Sequence, residues 1–110
     1  MIVRLWRGEA ATPTKARAYF EHVTGTVFPS LKAIPGHVDA WLLRREVGGK
    51  TEFLAMTLWT SIEAIKTFSG GDVGVAIVEP EGRAALSDFD DFARHYDVAF
   101  RSSGAADTCP

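Results

Sequence analysis

Hydrophobic and polar residues alternate every two positions near both ends of the chain and twice in its middle. Residues 2–9 and 95–101 therefore predict a first and a last strand, because alternation is typical of a strand with one buried face. Residues 37–46 and 51–59 predict two more strands, which flank Gly48-Gly49. Two glycines between two strands favour a tight hairpin, since both central residues of such a turn take positive φ.

Helical periodicity follows the first strand and returns after the hairpin. Thr12 as the N-cap and Pro13 as the first helical residue begin a helix that is expected to kink at Pro29. Thr60 and Glu63 form the capping-box pattern, which predicts a second helix that ends at a pair of glycines.

The segment between the second helix and the last strand is less regular. Residues 73–78 fit either a short helix or a strand, and Asp72 as a cap favours the helix. Leu86, Phe89 and Phe92 continue at helical spacing. We therefore expect extra helical turns before the last strand.

The predicted order of elements is β-α-β-β-α-β, which is typical of an α+β, ferredoxin-like domain. Its sheet is antiparallel and four-stranded, and its helices cover one face. The chain has 110 residues, which suits a single domain. We assign that domain to residues 1–101 and expect residues 102–110 to form a flexible C-terminal tail, because they are small, polar and aperiodic.

The predicted hairpin carries apolar side chains on both faces. With the two glycines as the turn, Arg45 lies opposite Glu52, and opposite charges across a strand pair are mildly favourable. Helices cover only one face, so we predict a homodimer that covers the other apolar face. The outer face holds Trp41, Leu43, Leu54, Met56 and Leu58, and the inner face holds Val38, Ala40, Leu42, Arg44, Phe53, Ala55, Thr57 and Trp59.

Composition and charge exclude several classes of protein. Hydrophobic residues make up 46% of the chain and charged residues 24%, as in an ordinary globular domain. The net charge of −2 argues against a general nucleic-acid-binding protein, and no apolar stretch is long enough to cross a membrane. The sequence begins without the apolar stretch of a signal peptide and has a single cysteine, Cys109, so we expect a cytoplasmic protein.

The inner face of the hairpin is the candidate ligand site. Its middle is formed by small residues, which leave a void beneath a layer of helices. Arg44 and Trp59 lie towards opposite ends of that face, where a cation and an aromatic ring would hold a planar or anionic ligand. Core packing is the alternative role for the two phenylalanines of the candidate set. The candidate substrate-binding residues are Arg44, Ala40, Ala55, Thr57, Phe68 and Phe92.

His95 is the candidate catalytic base among the histidines. No pair of histidines has the short spacing of a metal site, so we predict no bound metal. If His95 faces the helices, a neutral imidazole opens into the same space as Trp59 and accepts a proton from a phenol. The alternative is a histidine that hydrogen-bonds a loop backbone at the start of a strand.

Three segments carry a family pattern. AIPGH at residues 33–37 precedes the second strand, EFLAMTLW at residues 52–59 leads into SIEAIKTF at residues 61–68, and HYDV occupies residues 95–98. Across residues 1–101 the chain resembles the antibiotic biosynthesis monooxygenase-like group of dimeric α/β barrels. The resemblance implies that fold, and it implies that Trp59 is a pocket residue at the end of the third strand.

The same group includes cofactor-free oxygenases of aromatic polyketides, quinol oxygenases and haem-degrading oxygenases. Haem-degrading members have an asparagine on the first strand and an iron-ligating histidine on the helix after the tryptophan. Here the first strand has Arg4, Trp6 and Arg7, and residues 69–93 contain no histidine. The resemblance therefore does not extend to the haem-degrading mechanism.

The sequence thus predicts a cofactor-independent monooxygenase that oxidises an aromatic or quinol-like small molecule with dioxygen. His95 would act as the base, Trp59 as the pocket wall and Arg44 as the group that orients the substrate, without a bound metal or flavin. Two alternatives stay open. One is a non-catalytic small-molecule-binding or interaction dimer that uses the same pocket, and the other is a haem-binding protein with His95 or His22 as the ligand.

Overall fold

β1 (Ile2–Ala10) lies at the centre of an antiparallel sheet in a computed structural model that describes residues 1–102. It pairs with β3 (Lys50–Trp59) along one edge, and β2 (His37–Val47) is the outer neighbour of β3. Along its other edge it pairs with two short strands, β4 (Asp88–Phe89) and β5 (Arg94–Asp97). The predicted α+β, ferredoxin-like order is confirmed, and the sheet has five strands rather than four, because β4 is added and β5 takes the place of the last strand that was predicted over residues 95–101.

The helical layer begins with α1 (Pro13–His22), α2 (Phe28–Leu31) and a π-helical turn between them. Thr12 is the N-cap of α1, since its Oγ1 accepts a hydrogen bond from the amide three residues later. Pro29 lacks the N–H that an α-helix directs to the fourth carbonyl before it, and the irregularity predicted there takes the form of the wider turn at Val23–Val27. No helix within residues 1–102 is long and apolar enough to span a membrane.

The hairpin of β2 and β3 has the predicted register. Arg45 lies opposite Glu52, and both glycines of the turn have positive φ. A β-bulge at the start of β2 shifts the inner face by one residue, so His37 rather than Val38 lies against Trp59, with 5.0 Å between ring centroids. A histidine therefore occupies the place that the simple alternation assigned to a valine.

The next helix, α3 (Ile62–Ser69), has a different N-cap from the predicted one. Ser61 Oγ accepts a hydrogen bond from the amide three residues later at 3.2 Å. The amide of Thr60 instead donates to the carbonyl of Gly36 at 2.8 Å, at the start of β2. The predicted capping box of Thr60 and Glu63 is therefore wrong. Thr60 lies one residue before the N-cap of α3 and is hydrogen-bonded to the loop that precedes β2.

The segment between α3 and β5 contains less helix than its periodicity predicts. Residues 73–78 form no helix, and α4 occupies Pro80–Ala85. The helix predicted across residues 86–92 is replaced by β4, because this stretch follows the edge of β1. The amide of Asp90 donates to the carbonyl of Arg7 at 3.0 Å and holds the stretch in that place. The predicted tail, including Cys109, lies outside the described residues except for Ser102.

Two clusters of buried side chains lie between the inner face of the sheet and the helices. One surrounds Tyr19, whose ring centroid is 4.9 Å from that of Phe53. The other surrounds Trp59, which is fully buried together with Leu31 and Ile65. Side chains of both clusters also line a cavity, so the core and the candidate site share one layer of the fold.

The outer face of the sheet is exposed along β2 in the described chain, although Leu58, which was also predicted for this face, is only 3% exposed. Trp41 is 36% exposed and Leu43 is 44% exposed. Beside them, Glu52 accepts hydrogen bonds from Arg7 Nε at 2.7 Å and from Arg45 Nε at 2.6 Å. This face is therefore an apolar surface with an ion-pair network at one end.

Candidate active site

A cavity of about 240 Å³ separates the inner face of the sheet from the helical layer. β1 and β3 form its floor, and the π-helical turn contributes Val23 and Val27 to its wall. The lining is largely apolar and contains a small number of charged groups, which is the usual character of a site for a small organic molecule. The lining includes Arg4, Trp6, Ala55 and Thr57 from the sheet, Tyr19, His22 and Phe28 from the helices, Phe68 from α3, and Val78 and Glu79 from the segment before α4.

Arg4 is the charged group of the cavity floor. The residue is only 6% exposed, and within residues 1–102 it has no ion-pair partner. Its Nη2 donates to the carbonyl of Val75 at 3.1 Å, and its guanidinium carbon lies 5.4 Å from the centroid of the Phe68 ring. Its buried Nε has no hydrogen-bond partner among the described residues.

The surroundings of Arg4 determine what it can bind. Burial lowers the pKa of Arg4 to about 10, which still leaves the guanidinium charged at neutral pH. A buried charge is costly unless other groups compensate it, and here a carbonyl and an aromatic face do so only in part. The cavity floor therefore suits an anionic or strongly polar oxygen on an otherwise apolar molecule.

His22 and Glu79 form a second polar group in the lining. His22 is the last residue of α1, and Glu79 directly precedes α4. Nε2 of His22 lies 3.4 Å from Oε1 of Glu79, and the two side chains are 11% and 48% exposed. The pair thus joins the cavity to the protein surface. In the same wall, burial raises the pKa of Tyr19 far above its usual range, so its hydroxyl stays protonated.

Four of the residues predicted for the site lie in or directly behind the cavity wall. Ala55, Thr57 and Phe68 line the cavity. Trp59 is fully buried behind them, and its Nε1 donates to Thr57 Oγ1 at 2.8 Å. Its ring centroid is 6.1 Å from that of Phe68. Trp59 thus supports two wall residues from behind.

His95 lies on the predicted face of the last strand, but it is not part of the cavity lining. It pairs with Arg4 across β5 and β1, and its buried Nε2 has no hydrogen-bond partner among the described residues. Burial lowers the pKa of His95, and the charge of Arg4 lowers it further. His95 is therefore held neutral beside the cavity floor.

Three predicted substrate-binding residues lie outside the cavity. Arg44 is exposed on β2 opposite Phe53, whose buried ring fills the inner face at that level. Ala40 lines a separate shallow depression beside His37. Phe92 is 65% exposed and lines another depression on the far edge of the sheet. The cavity therefore extends less far along β2 than the hairpin pattern predicted, and it extends further towards β1.

Sequence reasoning did not include the charged groups of the cavity among the candidate catalytic and substrate-binding residues, and it named His22 only as an alternative haem ligand. Arg4 has a detectable signal, since it occupies an inward position of the alternating first strand between Ile2 and Trp6. His22 follows Tyr19 by one helical turn and so lies close to the buried side of α1. Glu79 has no such signal, because its position depends on the irregular segment before α4.

The fold is shared with solved structures, although no family model matches the sequence and no curated protein matches it significantly. A proposed antibiotic biosynthesis monooxygenase from Bacillus cereus is 17% identical, with 94% of this chain and 97% of that chain covered and a TM-score of 0.61. A monooxygenase from the gene ActVA-Orf6 of Streptomyces coelicolor, in complex with nanaomycin D, is 17% identical, with coverage of 94% and 92% and a TM-score of 0.63.

A third similar structure has a different ligand. The heme-degrader MhuD from Mycobacterium tuberculosis, with two hemes bound in its active site, is 15% identical, with 94% of this chain and 100% of that chain covered and a TM-score of 0.63. At these identities the agreement is one of fold. It confirms, at that level, the resemblance to antibiotic biosynthesis monooxygenase-like proteins.

Proposed function

With this shared fold as the premise, we propose that the protein is a cofactor-independent monooxygenase that oxidises an aromatic or quinol-like small molecule with dioxygen. The observation that carries the proposal is Arg4, a buried cation in the floor of a largely apolar cavity with no ion-pair partner in residues 1–102. A monooxygenase of the same fold has been crystallised with nanaomycin D, which supports a small organic ligand for this cavity as well.

The role of Arg4 follows from its charge. An aromatic hydroxyl compound becomes a much better electron donor when it loses its proton. A guanidinium beside the resulting oxyanion favours the charged form and lowers the pKa of the hydroxyl group. The apolar walls, with Phe68 beside Arg4, exclude water from the reacting centre and protect reactive intermediates.

The reaction needs no external reductant when the substrate has an activated ring CH₂ group. The deprotonated substrate gives an electron to dioxygen, and the substrate radical combines with superoxide to form a C–O bond. After protonation, the O–O bond of this hydroperoxide breaks as the remaining hydrogen leaves the carbon as a proton. The products are a ring carbonyl and water, so the balance is CH₂ + O₂ → C=O + H₂O, with all electrons supplied by the substrate.

We also propose that two copies pack through the outer face of the sheet, as the exposed side chains of Trp41 and Leu43 favour. Each copy would contribute residues 1–101 as one domain, whose ends are joined by the hydrogen bond from the Val98 amide to the Met1 carbonyl at 2.9 Å. The cavity lies on the opposite, inner face, so dimerisation leaves it intact. The reducing cytoplasm is the proposed location of this assembly.

Oxygen uptake with a panel of hydroquinones and anthrones tests the proposed activity. We expect the wild-type protein to consume oxygen with at least one of them. Arg4→Met should lower kcat/KM by about 100-fold or more, because the oxyanion loses its charge partner. The matched control is Arg17→Met, which removes an exposed arginine of α1 outside the cavity and should leave turnover unchanged.

Other outcomes identify the alternatives. Saturable binding of these compounds by the wild-type protein without oxygen consumption would identify a non-catalytic binding protein. A Soret band on addition of haem that disappears in His22→Ala or His95→Ala would identify a haem-binding protein. Equal turnover of wild type and Arg4→Met would remove Arg4 from the mechanism.

A further inference from the structure

His22 and Glu79 lie in the lining of the same cavity as Arg4 but belong to different parts of the chain. We infer that His22, held by Glu79, is the group that accepts the hydroxyl proton of a phenolic ligand bound against Arg4. For the identity of the natural ligand, this inference rests on the proposed function. It assigns the proton-accepting role to a different histidine from the one that the sequence predicted.

The geometry of the pair defines which atom takes the proton. Nε2 of His22 lies 3.4 Å from Oε1 of Glu79, so the carboxylate faces that nitrogen. With the ring proton on Nε2, beside the carboxylate, Nδ1 is the nitrogen whose lone pair would accept the ligand proton, and the imidazolium that forms has a carboxylate beside it. Because Glu79 is 48% exposed, the proton can leave the cavity through the pair and reach solvent between turnovers.

The other histidines of the described chain are less suited to this role. His95 lies outside the lining, and the positive charge of Arg4 beside it opposes its protonation. His37 also lies outside the lining, with its ring against Trp59 and its buried Nε2 without a hydrogen-bond partner in residues 1–102. His22 alone among them combines contact with the cavity and a carboxylate neighbour.

The proton transfer is balanced within the cavity. The ligand O–H bond breaks, its proton moves to Nδ1 of His22, and its electron pair stays on the oxygen beside Arg4. Besides Glu79, the ionisable groups that share the lining with His22 are Arg4 and the protonated Tyr19. One cation thus stabilises the oxyanion, and one carboxylate stabilises the protonated base.

The test uses 3-nitrophenol, a weaker acid than 4-nitrophenol, whose ionised form has a distinct visible absorption band. Wild-type protein and variants are titrated with this probe at about pH 7.5, where the free probe is mostly neutral and an ordinary imidazole is mostly unprotonated, in weak buffer that also reports proton release. We expect the wild-type protein to bind the probe as phenolate without releasing a proton to solvent. In His22→Gln the ionised fraction of bound probe should fall about fivefold or more, since the acceptor is gone.

Two further variants make the result specific. His95→Gln should retain the phenolate band, because that histidine lies outside the lining. Loss of the phenolate band in His95→Gln would overturn the inference. Glu79→Gln, at a largely exposed position, should reduce the ionised fraction by about threefold because the imidazolium loses its carboxylate. This variant keeps the inference testable if His22→Gln fails to fold.

The inference and the proposed function can fail separately. A phenolate band in His22→Gln equal to that of the wild type, with a proton released to solvent, would show that Arg4 alone ionises the ligand. Wild-type protein that binds only neutral probe, or none, would also overturn the inference. If His22 ionises the probe but the protein consumes no oxygen with any hydroquinone or anthrone, the proposed activity would be contradicted. The inference about His22 would still hold.

Discussion

The guanidinium of Arg4 lies over the ring of Phe68, with 5.4 Å between its central carbon and the ring centroid. Arg4 belongs to the central strand and Phe68 to α3, so this contact joins the sheet to the helical layer at the cavity. The aromatic face offsets part of the cost of burying the cation without occupying all of its N–H donors. The arrangement keeps a charged group buried and still available to a ligand.

Arg4→Met is expected to stabilise the fold while it impairs the site. A methionine of similar length removes a buried charge whose desolvation is only partly compensated. The free energy of unfolding in urea should rise by about 1–2 kcal/mol, as replacement of buried charges by apolar residues commonly allows. Arg17→Met should change it by less than about 0.5 kcal/mol, as is usual on the surface. A less stable Arg4→Met would show that the bond to the Val75 carbonyl outweighs the cost of burial.

The hydrogen bond from Trp59 Nε1 to Thr57 Oγ1 should contribute to stability as a pair. Trp59→Phe leaves the Thr57 hydroxyl without its donor, and Thr57→Val leaves a buried indole N–H without its acceptor. Each single variant should lose about 1–3 kcal/mol in urea unfolding, because each leaves one buried polar group unpaired. The double variant should lose less than the sum of the two. Additive losses would contradict a direct interaction between these side chains.

Glu52 should make stability depend on pH in the acidic range. Hydrogen bonds from Arg45 and then from Arg7 lower the pKa of Glu52 in the folded state. A lowered folded pKa gives stabilisation that is complete above the unfolded pKa and is lost as the pH falls through the folded value. The urea midpoint of the wild type should therefore decrease as the pH is lowered below the ordinary pKa of glutamate.

The variant Glu52→Gln isolates that effect. Its urea midpoint should vary less with pH over the same interval, because the neutral amide cannot titrate. Glu63→Gln is the control, since Glu63 is 80% exposed and pairs only with Lys66 at 3.8 Å among the described residues. Identical pH profiles for the wild type and Glu52→Gln would show that the ion-pair network does not couple to folding.

Trp41→Arg should convert the proposed dimer to a monomer. The side chain lies on the uncovered outer face, where a charge would be buried against the second copy. Sedimentation velocity at micromolar concentration measures the change. Phe20→Arg is the control, because Phe20 is a large apolar residue of α1 that is 42% exposed on the helical side. A wild-type monomer, or a Trp41→Arg dimer, would exclude assembly through this face.

The first three strands could be predicted from the sequence because their information is local, whereas β4 was predicted as helix. The alternation in β1 and the glycine turn after Val47 determine which residues pair, and Arg45 meets Glu52 as expected. The bulge at the start of β2 could not be predicted, since the pattern around Val38 continues the alternation without a break. One inserted residue there changes which side chain contacts Trp59.

The candidate site was only partly predictable, for a related reason. Ala55, Thr57 and Phe68 lie on regular elements, and their inward positions follow from periodicity. Arg4 and His22 also lie on regular elements, but a charged residue at an inward position is normally interpreted as an edge or surface residue. The place of Glu79 depends on long-range contacts of an irregular segment, which local patterns do not describe.

The shape of the cavity depends on the number of residues in the π-helical turn at Val23–Val27. Such a turn closes its hydrogen bonds one residue later than an α-helix does, so it is equivalent to a single inserted residue. Removing one residue between His22 and Phe28 would restore an α-helical register and rotate the preceding part of the wall relative to α2. A one-codon deletion within this turn would therefore reshape the binding space without substituting any side chain of the cavity lining.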